Sequence, residues 1–295
     1  MKTLNNLLPR MFIVTYLLTI SNIVIAESNE LTMAYVENGL TELRNNEKQV
    51  ALQLLVNELI KDSGFKMLVK PFSTFSLLQS SIVAGDVDFL IINSFHYISH
   101  ADFFHKKIAE PIWAVLHGPL DYERHILVAH KRYADLSLQD LKGKQVSLYT
   151  PHLMMSFNLD FLVKKASGLK SRHFFKKIKS TRSASQAVLD VYFGGSELCI
   201  IPKYLYDLTV ELNPAMLKQL AIIKPESEQF IPVLLFNFKH TDPMAREAVN
   251  KNITVLDGTV RGKQIMDIFK VQTVNLITKE DLEPMRKLFQ AYQTL

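Results

Sequence analysis

The chain contains 295 residues, of which 48% are hydrophobic and 21% are charged, and it carries a formal net charge of +5. This composition excludes a disordered chain and supplies enough apolar side chains for one large domain or two medium ones. The basic excess is modest and is spread along the chain, so a nucleic-acid partner is not expected. The one cysteine, Cys199, excludes an intrachain disulfide, and its apolar neighbours indicate a buried core residue.

Residues 1–26 have the anatomy of a secretory signal peptide. Lys2 and Arg10 precede an apolar stretch, and Val24 and Ala26 fit the pattern of small residues before a cleavage site. The apolar stretch is shorter than the ~20 residues that cross a bilayer, which favours cleavage after Ala26 over an uncleaved anchor. We therefore expect a periplasmic protein, secreted through this leader.

The first part of the remaining chain alternates short apolar runs with amphipathic segments, a pattern typical of an α/β fold. Leu31–Val36 predicts the first strand, and apolar residues three or four apart between Glu47 and Lys61 predict the first helix. Val87–Ile92 is an almost continuous apolar run, as expected for a strand buried on both faces. Further elements are predicted as strands at 65–71 and 108–116 and a helix at 74–84.

A break at His117-Gly118-Pro119 separates a second block with the same alternation. In the predicted helix at 151–166, Thr150 is the expected N-cap and Pro151 the first helical residue. The other elements are predicted as strands at 124–130, 145–149, 173–176, 198–201 and 220–223, and as helices at 136–141, 183–193 and 203–211.

The end of the chain is predicted to return to the first block. Residues 231–238 predict a last strand, and the chain from Asp242 on is expected to be helical, with too few strands to build a third sheet. The sequence therefore predicts an α/β fold of two lobes, each a mixed sheet flanked by helices, joined by two hinge crossovers near Pro119 and Pro232. The expected lobes are residues 27–118 with 231–295, and residues 119–230. A cleft between lobes is the usual place for a small ligand.

Three segments carry a family resemblance. They are Gly85-Asp86-Val87-Asp88-Phe89-Leu90 followed by Ser94-Phe95-His96-Tyr97, the run from Leu136 to Val146 that contains Asp140-Leu141-Lys142-Gly143-Lys144, and Ser183 to Val191 before Gly194. In order and spacing they resemble the phosphate/phosphonate-binding periplasmic components of ABC importers, which have the type 2 periplasmic-binding-protein fold. The resemblance implies a two-lobed protein without enzymatic activity that closes around a ligand and delivers it to a membrane permease.

One segment departs from that family. Where the family opens a helix with a cluster of hydroxyl residues that hold phosphoryl oxygens, this chain has Thr150-Pro151-His152-Leu153-Met154-Met155-Ser156. Pro151 has no N–H to donate, and each lost hydrogen bond is worth on the order of 1 kcal/mol, or about twice that to a charged group. The expected ligand is thus a small anion, either phosphonate- or phosphate-like or another organic anion.

Candidate binding residues are the polar and aromatic side chains at strand ends that would face the cleft. Arg182 could clamp a carboxylate or phosphate through two parallel hydrogen bonds, and Tyr35 and Tyr149 could form aromatic walls. The full set comprises Tyr35, Glu37, Asn38, Ser94, His96, Tyr97, Tyr149, Thr150, Ser156, Arg182 and Ser183.

Neither a metal nor a cofactor is expected. The spacing of His96, His100, Asp102 and His105 would put two imidazoles on one helix face, as in some metal sites, but nothing else in the pattern demands a metal. The sequence has no nucleophile elbow, P-loop, dinucleotide fingerprint or zinc-protease motif, so an enzyme is not expected.

Two functions remain open at this point. The first is a periplasmic solute-binding protein, expected to be a monomer, that supplies an ABC permease. The alternative is a ligand-sensing receptor domain that signals to a membrane kinase or cyclase, because the same fold can report a ligand without transporting it.

Overall fold

The computed structural model describes residues 29–37, 43–117, 122–150, 152–224 and 229–295. The predicted leader, the candidate residue Asn38 and the prolines at 119 and 151 lie outside these ranges. Across the described ranges, the helices are all too short or too polar to cross a membrane.

The first part of the chain alternates strands and helices as predicted. The elements are β1 (Glu30–Val36), α1 (Asn45–Leu59), β2 (Lys66–Phe72), α2 (Phe75–Ala84), β3 (Phe89–Asn93), α3 (Ser94–Ser99), α4 (Ala101–His105) and β4 (Ile108–Leu116).

The second part repeats this alternation. The elements are β5 (Glu123–His130), β6 (Gln145–Tyr149), α5 (Leu153–Ser167), α6 (Ser171–Phe174), β7 (Lys177–Thr181), α7 (Ala184–Tyr192), β8 (Leu198–Pro202), α8 (Lys203–Leu212), β9 (Leu220–Lys224) and β10 (Gln229–Phe230), with 3-10 turns at Lys131–Tyr133, Gln139–Leu141 and Pro214–Lys218.

The last part combines two strands with three helices. The elements are β11 (Val233–Phe238), α9 (Pro243–Thr254), α10 (Val260–Phe269), β12 (Thr273–Ile277) and α11 (Glu283–Thr294), with 3-10 turns at Leu256–Gly258 and Glu280–Leu282.

The strands form two six-stranded sheets. The first has the order β12-β4-β11-β3-β1-β2, and the second has the order β10-β5-β8-β6-β7, with β9 also pairing with β5. The chain passes from the first sheet to the second between Leu116 and Glu123 and returns between Phe230 and Val233. The two passages are neighbours, because Phe230 pairs with Glu123 in an antiparallel ladder. The mixed α/β architecture with two sheets flanked by helices, predicted from the sequence, is confirmed.

The first sheet is buried on both faces because its central strands are mostly apolar. In β1, Met33 and Tyr35 pack towards α1, α9 and α10, whereas Ala34 and Val36 pack on the opposite face. All five residues of β3 are buried. A continuous apolar run of this kind needs helices on both sides, which is what the alternation of elements along the chain provides.

Asp88 has a structural role in this sheet. Its Oδ2 atom accepts a hydrogen bond from the Thr32 backbone N–H at 2.8 Å, and its carbonyl accepts one from the Thr241 hydroxyl at 2.7 Å. The residue therefore ties β1 and the end of β11 to the start of β3.

Three local predictions were wrong. Residues 173–176 end a short helix instead of forming a strand; the strand is β7, whose Lys and Ser side chains give little apolar signal because it lies at the sheet edge. Thr150 is not a helix cap. Its hydroxyl donates to the Thr181 carbonyl at 3.3 Å, and α5 begins at Leu153 with His152 in the cap position.

The third wrong prediction concerns the tail. The chain after Asp242 is not wholly helical, because β12 pairs antiparallel with β4, from Thr273 opposite Leu116 to Ile277 opposite Ile112. An edge strand needs only partial burial, so its polar residues conceal it from a search for apolar runs.

Candidate ligand-binding site

A cavity of about 590 Å³ lies between the parts of the chain that build the two sheets. The first-sheet side contributes Asn93, Val233 and the 267–272 segment, and the second-sheet side contributes Tyr149, His152 and Tyr204. Pro232, on the return passage of the chain, also lines it. A ligand in this cavity would therefore contact both halves of the molecule and the segment that joins them.

The cavity follows from the topology of the sheets. Asn93 ends β3, Tyr149 ends β6 and Pro202 ends β8, and each of these residues lines the cavity. In the first sheet, β3 runs parallel to its neighbour β1. In the second sheet, β6 and β8 are neighbours and run parallel to each other. The carboxyl ends of parallel strands leave a crevice in which α/β proteins bind ligands.

A buried carboxylate with two imidazoles lies behind one wall of the cavity. The Oε1 atom of Glu123 is 2.7 Å from Nε2 of His125 and 2.9 Å from Nε2 of His152. Glu123 and His125 are buried, whereas His152 retains 12% side-chain exposure and lines the cavity. The His125–Glu123 contact has hydrogen-bond geometry, but both His152 ring nitrogens are buried without a hydrogen bond among the described residues.

Burial and the neighbouring groups together determine the charge state of the buried Glu123–His125 pair. Burial by itself raises the pKa of Glu123, but the adjacent His152 and His125 outweigh burial and hold that pKa well below its ordinary value. Burial also lowers the pKa of His125, against the opposing effect of Glu123. The pair is thus an ionised carboxylate and a neutral imidazole. Asn158 Nδ2 lies 3.3 Å from His125 Nδ1, which places the proton on Nε2, facing Glu123.

The local sequence explains this convergence. Glu123 and His125 are two residues apart on β5, so their side chains project from the same face of the strand. The His125 ring stacks on Phe230 of the neighbouring β10 with centroids 4.5 Å apart. His152 comes from the turn between β6 and α5 and meets the His125 ring edge-on, with centroids 5.4 Å apart.

Lys48 is a second buried charged residue, on the first-sheet side. Its ammonium group donates to the Glu37 carbonyl and lies 6.0 Å from the centre of the Tyr35 ring. Burial lowers the pKa of Lys48, and the Glu37 carboxylate opposes that effect. The amine thus organises the end of β1 and the start of α1.

The structure separates the candidate residues of the first block. Tyr35 and Tyr97 are buried in the core, Tyr97 against Phe104 and Phe236. Ser94 is fully buried, and its backbone N–H donates to the Pro232 carbonyl at 3.1 Å. The half-buried His96 stacks on Phe75 with ring centroids 5.4 Å apart, and the Glu37 backbone N–H donates to the Phe72 carbonyl at 3.0 Å. None of these five is among the residues that line the cavity.

In the second block, Tyr149 lines the cavity. Thr150 bonds to β7, as described above, and Ser156 is half-buried on α5. Arg182 has an exposed side chain, and Ser183 caps α7 by accepting a hydrogen bond from the Gln186 backbone N–H at 3.2 Å. Of the ten candidates within the described ranges, Tyr149 alone is a lining residue of this cavity.

Sequence reasoning missed the residues that dominate the site. Asn93, directly after the predicted strand Val87–Ile92, was not selected as a candidate, and His152 was read as part of a departure from a hydroxyl cluster. The sequence did contain one indication of a polar site, because Glu123 and His125 lie two residues apart on an otherwise apolar strand. Two ionisable residues on one face of a buried strand need a polar partner.

Comparisons with known proteins agree with the two-sheet architecture. Residues 43–282 match a family described as the periplasmic substrate-binding protein of phosphonate ABC transporters. PhnD1 from Prochlorococcus marinus, solved with methylphosphonate, is 14% identical with a TM-score of 0.63, and the match covers 91% of this chain and all of that one.

Two further solved structures are similar. A binding component of an ABC phosphonate transporter from Pseudomonas aeruginosa is 12% identical with a TM-score of 0.63, covering 90% of this chain and 86% of its own. A Xanthomonas citri protein bound to ATP is 11% identical with a TM-score of 0.67, covering 90% and 98%. A search of curated proteins finds no relative with significant sequence similarity.

Proposed function

This chain belongs to the family of periplasmic phosphonate-binding components of ABC transporters, and we propose that it captures a small organic anion in the cavity between its two sheets. The family places it in the periplasm with a small-molecule ligand and a membrane permease as partners. Our proposal further includes export by the leader, cleavage after Ala26, a monomer without enzymatic activity or nucleic-acid partner, and lobes of residues 27–118 with 231–295 and of residues 119–230.

The observation that carries the proposal is the composition of the cavity wall. Tyr149, His152 and Tyr204 come from the second-sheet side, and Asn93 and Lys270 come from the first. A ligand that contacts both sides gains interactions only when the two sides approach each other. Ligand binding therefore selects the closed arrangement, and the permease can distinguish loaded from empty protein by this shape.

The wall also supports a ligand with an anionic head and an apolar body. His152 and Lys270 supply nitrogen groups for the head, although Glu47 and Asp267 also line the cavity, and Leu205, Val233 and Phe269 are apolar. A cavity of about 590 Å³ falls within the range typical of ligands much larger than an inorganic oxyanion. Methylphosphonate and ATP, present in two similar structures, span the range of phosphorus-containing anions worth testing.

The experiment is a thermal-shift screen of the purified protein against phosphate, phosphite, methylphosphonate, larger phosphonates, nucleotides and small carboxylates. A ligand that binds only the folded protein raises its stability by about 2.7 kcal/mol at one hundred times its Kd. We expect saturating stabilisation by at least one anion. A flat response throughout this panel would contradict an anion-binding function, and a response confined to carboxylates would reject phosphorus oxyanions as the ligand class.

A matched pair of variants locates the site. Tyr204 lines the cavity and Tyr192 is a half-buried tyrosine outside it. Tyr204→Ala should weaken the binding of any hit about tenfold by calorimetry, whereas Tyr192→Ala should leave the Kd unchanged. Equal effects of the two substitutions would place the ligand elsewhere.

A further inference from the structure

The described residues contain one group of three metal-ligating side chains whose ligand atoms lie within 4.8 Å of one another, formed by Glu123, His125 and His152. It is distinct from the four-residue histidine and aspartate pattern noted in the sequence. There, His96 stacks on Phe75, and His100 Nδ1 contacts the His96 carbonyl and the Ser99 hydroxyl. That pattern does not form such a group within the described chain.

We propose that Glu123, His125 and His152 bind one divalent transition-metal cation of the zinc class at the wall of the cavity. Two imidazoles and one carboxylate form a donor set that holds Zn²⁺ and leaves a fourth position open. Bonds of about 2.0–2.1 Å in tetrahedral geometry separate ligand atoms by about 3.3–3.4 Å. The present separations from Glu123 Oε1, 2.7 and 2.9 Å, would need to widen by about 0.4–0.7 Å to reach that spacing.

Unsatisfied polar atoms surround the proposed ion. Both ring nitrogens of His152 are buried without a hydrogen bond among the described residues. Nε2 lies 2.9 Å from Glu123 Oε1, but the ring is not oriented to donate to it. The fully buried Asn158 also has an Oδ1 atom without a partner in the described chain. A cation at this point would give His152 Nε2 an acceptor for its lone pair.

Asn158 fits the role of an outer partner to a metal ligand. Its amide lies 3.3 Å from His125 Nδ1. A half-turn of that amide lets Oδ1 accept a hydrogen bond from a protonated Nδ1, and His125 Nε2 then presents its lone pair to the cation. Histidine ligands of metals typically donate their second ring N–H to an oxygen in this way, which orients the ring.

The position of the group connects the ion to the cavity. Glu123 and His125 are buried, and His152 lines the cavity, so a ligand in the cavity would approach a bound ion from the side of His152. A divalent ion would add two positive charges to this group of one carboxylate and two imidazoles. The site would then attract an oxygen atom of an anion, replacing the hydroxyl groups that this segment lacks. This last step rests on the proposed anion-binding function, whereas metal binding itself does not.

The test begins with the metal alone. The purified protein, stripped with a chelator, is titrated with Zn²⁺ against a chromophoric chelator, and separately with Co²⁺ while its visible spectrum is recorded. We expect one ion per chain with micromolar or tighter affinity, and an intense Co²⁺ absorption typical of four-coordination. Binding weaker than millimolar for both ions would overturn the proposal.

Variants assign the ligands. His152→Gln, at the least buried position, should reduce Zn²⁺ affinity about 100-fold or more and abolish the Co²⁺ band, while Asn158→Ala should reduce affinity about tenfold. The control is the double variant His96→Gln and His100→Gln, which should bind as the original protein does. Unchanged binding in His152→Gln, or equal loss in the control, would overturn the assignment.

The final arm compares the affinity for methylphosphonate and for small carboxylates with and without Zn²⁺. We expect at least a tenfold gain for one of them in the zinc-loaded protein. Metal binding without any gain would refute the role of the ion in anion capture. Anion binding without metal binding would leave the proposed function standing and reject the metal site.

Discussion

The hydroxyl of Tyr292 links the C-terminal helix to the second half of the molecule, and its removal gives a testable change in stability. It donates to the Asp160 carboxylate on α5, and Lys164 Nζ donates to the Tyr292 carbonyl at 3.0 Å. The Tyr292 ring also contacts Phe157 edge-on, with centroids 5.3 Å apart. Tyr292→Phe keeps the ring and removes the bond to the carboxylate.

The expected loss is about 1 kcal/mol. A hydrogen bond to a charged group contributes about 1.5–3 kcal/mol when buried. The value here lies below that range because the pair is partly exposed and Asp160 keeps two other donors, the Ser171 N–H and hydroxyl, each at 2.6 Å. For a chain of this size, 1 kcal/mol lowers the Tm by about 2 °C.

The loss should depend on pH. Burial and the bond to Asp160 raise the pKa of Tyr292 to about 12, so this contribution is complete below pH 10 and disappears as the pH rises towards 12. Burial tends to raise the pKa of Asp160, but its bonds to Ser171 and Tyr292 lower it below the usual 3.8. Its contribution is therefore complete above about pH 4 and is lost at lower pH.

Thermal unfolding followed by circular dichroism from pH 3 to pH 11 measures the difference between the original protein and Tyr292→Phe. The control is Tyr192→Phe, at a half-buried tyrosine of α7, which should change the Tm little. Equal melting temperatures of Tyr292→Phe and the original protein at pH 7, or a difference that stays constant to pH 11, would refute the reasoning.

Three further outcomes follow from other buried groups. Burial, with His100 nearby, lowers the pKa of His96 to about 4, so the folded state should lose about 1–2 kcal/mol of stability as the pH falls from 6.5 to 4, after allowance for partial exposure. In denaturant unfolding, the stability of His96→Gln should therefore fall less with acid than that of the original protein. An equal fall in both proteins would contradict this. A Cβ at Gly262 would lie 1.8 Å from the Leu256 carbonyl oxygen, so Gly262→Ala should cost about 3 kcal/mol, whereas Gly258→Ala, with open space around it, should melt like the original protein. Burial raises the pKa of the Cys199 thiol, so a thiol reagent should react only after unfolding; rapid labelling of the native protein would show that β8 opens.

The sequence predicted best the elements with one dominant physical cause. The strands at 108–116 and 145–149 were predicted with their correct bounds, because most of their residues are apolar and buried. The edge strands β7 and β12 were misplaced or missed, because they are stabilised by backbone pairing while their side chains remain partly exposed.

The candidate site was harder to predict because it depends on strand order. Tyr149 was identified since it ends a clear strand. Glu123 and His125 lie on β5 and His152 follows β6, and these strands are separated in the sheet by β8, which comes later in the chain than either. A single sequence contains no local signal that these three residues converge.

The pairing of Phe230 with Glu123 has a mechanical consequence. Both linking segments are joined by the same β-ladder. They should therefore bend and twist together as one hinge, and not independently. Under the proposed closure, groups near this ladder, including Pro232 and the Glu123 carboxylate, would move least, and lining residues farther from it would move most. A ligand would thus meet its innermost contacts preassembled and acquire the outer ones last.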